Sequence, residues 1–75
     1  MDDILTILAD SSDILVVEDT MMRHFASYYV PALDSCFVMQ CTKAGLPMGS
    51  EILGSYDGRP DSVEMETYVP APSIL

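Results

Sequence analysis

The sequence predicts an α+β fold, with one or two N-terminal helices packed on a C-terminal three-stranded antiparallel sheet. Three observations predict it. Met21, Met22, Phe25, Tyr28 and Tyr29 recur at helical spacing, with Thr20, Arg23, His24 and Ser27 on the other side. Residues 36–42 and 62–69 alternate apolar and polar side chains with the period of a strand. Glycine, proline and aspartate gather between these stretches, in 43–50 and 57–61, where turns belong.

Each element follows in order. Asp2 and Asp3 suit the start of a helix over 2–10, with Ile4, Leu5 and Leu8 as its apolar stripe and Ser11 and Ser12 as its stop. Ile14, Leu15, Val16 and Val17 form a short, β-branched run that favours a buried strand, with a helical lead-in as the alternative. Asp19 or Thr20 then caps the amphipathic helix 20–30, and Pro31 ends it. In the strand 36–42, Phe37, Met39 and Cys41 share one side. The strand 51–56 directs Ile52 and Tyr56 inward, with Gly54 at a bulge or close contact. The strand 62–69 places Val63, Met65, Thr67 and Val69 on one face, and Glu64, Glu66 and Tyr68 on the other. Pro70 and Pro72 forbid a continued central strand, so 70–75 is expected to be an extended tail on a single domain spanning 1–75.

Composition narrows the function. The chain has 75 residues, 49% of them hydrophobic, which argues against disorder. Twelve Asp and Glu face three Lys and Arg, for a formal charge of −9. Direct binding of nucleic acid or of anionic lipid is thereby excluded, because three cations cannot neutralise a run of phosphates. The start, Met1, Asp2, Asp3, lacks the basic region of a signal peptide, and no apolar run is long enough to span a bilayer. The cytoplasm is the expected location. Cys36 and Cys41 lie on one predicted strand, on opposite faces and about 17 Å apart. That is too far for a disulfide, and both are expected as buried thiols.

No catalytic or cofactor constellation emerges. His24, Cys36 and Cys41 are the only soft metal ligands and lack the paired spacing of a structural zinc site. Asp57 to Asp61 is too short for a calcium loop. His24, the only histidine, is expected on the solvated face of its helix rather than beside a nucleophile. The expectation is a non-enzymatic chain without cofactor or metal.

The acids themselves are the strongest signal. Asp2, Asp3, Asp10, Asp13, Glu18 and Asp19 occupy residues 1–19 without a cation. Glu51, Asp57, Asp61, Glu64 and Glu66 occupy 51–75 with only Arg59. On a strand, Glu64 and Glu66 would stand about 6.8 Å apart, close to the spacing of nucleic-acid phosphates. Glu51, Asp57 and Asp61 would extend that row, and Tyr68 would add an aromatic anchor. Asp10, Asp13, Glu18 and Asp19 supply the second patch. The expected partner is a basic nucleic-acid-binding protein, met by a monomer or a small homo-oligomer. An acidic array of this kind would steer the encounter and speed association.

In size and charge the chain resembles small acidic phage inhibitors that mimic DNA, anti-CRISPR proteins among them. The resemblance implies stoichiometric blocking of a DNA-reading site, in a CRISPR effector for instance, within the host cytoplasm. Asp34 and Ser35, followed by Lys43, Ala44, Gly45, Leu46 and Pro47, also resemble fragments of an acyl or peptidyl carrier protein. That likeness implies phosphopantetheine attachment at Ser35. A plain protein-interaction module is the third expectation.

Overall fold

The computed structural model describes residues 13–71. The predicted helix 2–10 and most of the predicted tail 70–75 lie outside them. Four strands run in chain order: β1 (Ile14–Glu18), β2 (His24–Val30), β3 (Ser35–Cys41) and β4 (Gly54–Asp57). They form one antiparallel meander in the order β1-β2-β3-β4. A 3₁₀ turn, Pro31–Leu33, joins β2 to β3, and one short helix, α1 (Ser62–Glu66), follows the sheet. Among the described residues the fold is therefore mostly β. It is not a set of N-terminal helices on a three-stranded sheet, and that expectation is corrected in two places.

The first correction concerns 20–30, which is a tight turn followed by strand β2. The strand is buried on both faces, so apolar side chains need not alternate with polar ones along it. Phe25 and Tyr29 face one side, and Ala26 and Tyr28 face the other. Ser27, read as part of a polar helix face, is fully buried, and its hydroxyl lies 2.6 Å from the Tyr56 hydroxyl. Aromatic and β-branched residues supply strand propensity throughout this segment. Asp19 does accept backbone N–H groups, but from Met21 at 3.0 Å and Arg23 at 2.8 Å, closing a hairpin instead of capping a helix.

The second correction concerns 62–69, which is helix α1 and the turn after it. Asp61 is its N-cap, accepting from Val63 N–H at 2.8 Å and Glu64 N–H at 3.3 Å. Met65 is buried, whereas Val63 is 77% exposed. The alternation of Val63 and Met65 thus does not mark one face. Residues 35–41 and 14–18 are strands as expected, with Phe37, Met39 and Cys41 on one side of the sheet. The predicted strand 51–56 is shorter and begins at Gly54.

One sheet face packs Phe25, Tyr29, Cys36, Val38 and Tyr56 beneath Met65, with Leu15, Val17, Leu53, Tyr68 and Val69 around them. Gly54 is required here. A Cβ at that position would lie 2.1 Å from the Tyr68 ring, which stacks on Tyr56 with planes 6° apart. Buried polar groups on this side are satisfied, since the Tyr56 hydroxyl oxygen also accepts from Asp61 N–H at 3.0 Å. The other face gathers Ala26, Tyr28, Met39 and Cys41 with Ile14, Val16, Val30 and Phe37. The loop after β3 closes over part of it, where the Tyr28 hydroxyl donates to Gly45 O at 2.7 Å. Cys36 and Cys41 are free, buried and on opposite faces. Burial pushes both thiols above their ordinary pKa.

Candidate functional site

The β1–β2 turn builds a dense polar cluster from adjacent residues. The Arg23 guanidinium meets Asp19 Oδ2 twice, from Nε at 2.7 Å and from Nη2 at 2.6 Å. Arg23 Nη2 also donates to Pro70 O at 3.0 Å, tying the turn to the chain that leaves α1. The same guanidinium stands 5.1 Å over the Phe25 ring, a favourable cation–π contact. Burial alone would raise the Asp19 pKa. The hydrogen bonds and charge of Arg23 prevail and hold it below the ordinary 3.8. His24, expected on a helix surface, opens β2 and places Nε2 3.2 Å from Glu18 Oε2. Glu18 is nevertheless half-exposed, at 53%.

Other predicted contact residues are also committed within the fold. Asp13 pairs with Arg59, whose guanidinium lies 5.1 Å from the Tyr29 ring. Tyr29 donates to Asp34 at 2.7 Å. Asp57 accepts from the Ser35 hydroxyl at 3.3 Å. Asp61 caps α1, as described. Tyr68 is half-buried against Gly54 and Tyr56, so it belongs to the core edge and not to a free acidic strand.

Glu51, Glu64 and Glu66 are exposed, with no side-chain partner among the described residues. Glu64 and Glu66 lie two apart on a helix, about 200° around its axis. They point in different directions, and the predicted row at strand spacing does not exist.

Instead, the fold brings together residues from both acidic segments at a different place. A groove of about 320 Å³ is lined by Val17, Glu18, Asp19 and Thr20 around the end of β1, and by Glu66 at the end of α1 with Val69, Pro70 and Ala71 after it. Glu51 is in a separate groove of about 390 Å³, with Gln40, Met48 and Leu53. Asp13 stands at the opposite end of β1, about 17 Å from Glu18. Asp10 lies outside the described residues.

Sequence reasoning missed Val17, Val69, Pro70 and the tie through Arg23. Asp61 followed by Glu64 is a capping-box pattern that signals a helix start and would have placed Glu66 correctly. Ser35 is the attachment site that the carrier-type likeness implies. Ser35 opens β3, with its hydroxyl donating to Leu33 O at 3.0 Å. Among the described residues, no three His, Cys, Asp or Glu side chains are grouped to share a metal ion, and no helix is long and apolar enough to cross a membrane. Comparison with protein families, curated proteins and solved structures finds no match.

Proposed function

We propose that this chain is a non-enzymatic acidic binding protein that occupies a basic, nucleic-acid-binding site on a partner protein. One observation carries the reading. Two of the three cations are neutralised internally, Arg23 by Asp19 and Arg59 by Asp13, while Glu18 and Glu66 from separate segments converge on one groove. Glu51, Glu64 and Glu66 are exposed and have no side-chain partner among the described residues. Binding would draw on charge-assisted hydrogen bonds and on release of the partner's counterions.

The immobilised protein, incubated with cell extract at low salt, tests this reading. The expected result is a partner that elutes with moderate salt, is displaced by duplex DNA, and is lost from a Glu18→Lys, Glu66→Lys double variant. A partner that resists both salt and DNA would contradict the nucleic-acid-mimicking reading. It would favour a plain interaction module, for which the exposed side chains of Leu46, Met48 and Ile52, with Met48 lining the Glu51 groove, are the supporting observation.

A further inference from the structure

We infer that the groove between the end of β1 and the chain leaving α1 receives a lysine or arginine side chain from an extended basic segment of the partner. This deepens the binding reading above and rests on it. The groove has two chemistries. Val17, Val69, Pro70 and Ala71 give it an apolar lining, and the carboxylates of Glu18 and Glu66 give it an acidic rim. Lysine and arginine match both, because an aliphatic stem lies along apolar surface while the charged head seeks carboxylate oxygen. A volume of about 320 Å³ is at the small end for ligand sites, suited to one or two side chains and too small for a folded element.

The chain's own Arg23 illustrates the fit. Its head engages Asp19 and the Pro70 carbonyl, and its plane rests over Phe25. That contact also joins two stretches 47 residues apart in sequence, which brings the two walls of the groove together. Asp19 is already occupied. Glu66 has no side-chain partner among the described residues, and Glu18 is half-exposed beside His24. An acidic or phosphate-bearing ligand is disfavoured by the same rim.

Fluorescence anisotropy with labelled octalysine provides the test, using the intact chain and checking each variant's fold by circular dichroism. Glu66→Lys is expected to weaken binding about tenfold, a loss of about 1.4 kcal/mol. Glu51→Lys makes the same change in net charge outside the groove and is expected to weaken binding no more than about twofold. An octamer of diaminobutyrate keeps the charge and shortens each stem, and is expected to bind about threefold more weakly than octalysine. Equal loss from Glu51→Lys and Glu66→Lys overturns the groove while leaving the acidic binding reading intact. Equal affinity for the two octamers overturns the role of the apolar lining. Binding insensitive to salt and to both substitutions overturns both readings.

Discussion

The two regions that meet at the groove handle negative charge in opposite ways. At the β1–β2 turn, Asp19 accepts from two backbone N–H groups and from a guanidinium, and Glu18 has His24 beside it. On α1, Glu64 and Glu66 have no side-chain partner among the described residues. The first arrangement uses carboxylates to hold a hairpin shut. The second leaves them in solvent, where they are available to another molecule. Acid count alone therefore overstates the usable charge, and the partners of each acid separate scaffold from surface.

The comparison can be broken at α1. Gly54→Ala places a methyl group on the Tyr68 ring and should cost about 3 kcal/mol. In a domain this small the expected fall in Tm is about 15 °C, measured by thermal unfolding. Asp61→Ala removes the helix cap and should cost about 1 kcal/mol, read from the midpoint of urea unfolding. At the turn, Met22 sits at φ +61°, a left-handed conformation that strains a residue with a side chain. Met22→Gly should therefore stabilise the protein by about 0.5 kcal/mol in the same assay.

The Asp19 contrast is sharpened by pH. Its folded pKa lies below its ordinary value of 3.8, so its contribution is present above pH 3.8 and is lost as pH falls through the lower, folded value. Wild-type stability should drop across that acidic window. Asp19→Asn should flatten this part of the profile, as followed by urea midpoints at successive pH values.

Only part of the β architecture was legible in local sequence, since β2 reads as a helix and α1 as a strand. Ile14–Val17 and the Phe37, Met39, Cys41 alternation gave two strands, and Gly45, Pro47 and the 57–61 cluster gave the loops. The remainder depended on tertiary context. Ser27 looks polar in sequence, yet the Tyr56 hydroxyl allows it to be buried, which turns an apparently amphipathic helix into a two-sided strand. The alternation of 62–69 was outweighed by the Asp61 cap and by the docking of Met65. The groove itself was not legible, because it joins residues nearly fifty positions apart. The acidic segments were visible in sequence, but which carboxylates remain free depends on where Arg23 and Arg59 reach.

The close approach of Tyr68 to Gly54 has a consequence for how the surface comes into being. A helix of five residues is far shorter than the roughly twelve that an isolated helix needs in water. It persists because Met65, Tyr68 and Val69 pack against the sheet. Glu66 thus rides on a detachable flap, whose local opening would dismantle the groove while the β2–β3 pairing stays intact. A partner that binds only the docked form would raise the cost of that opening.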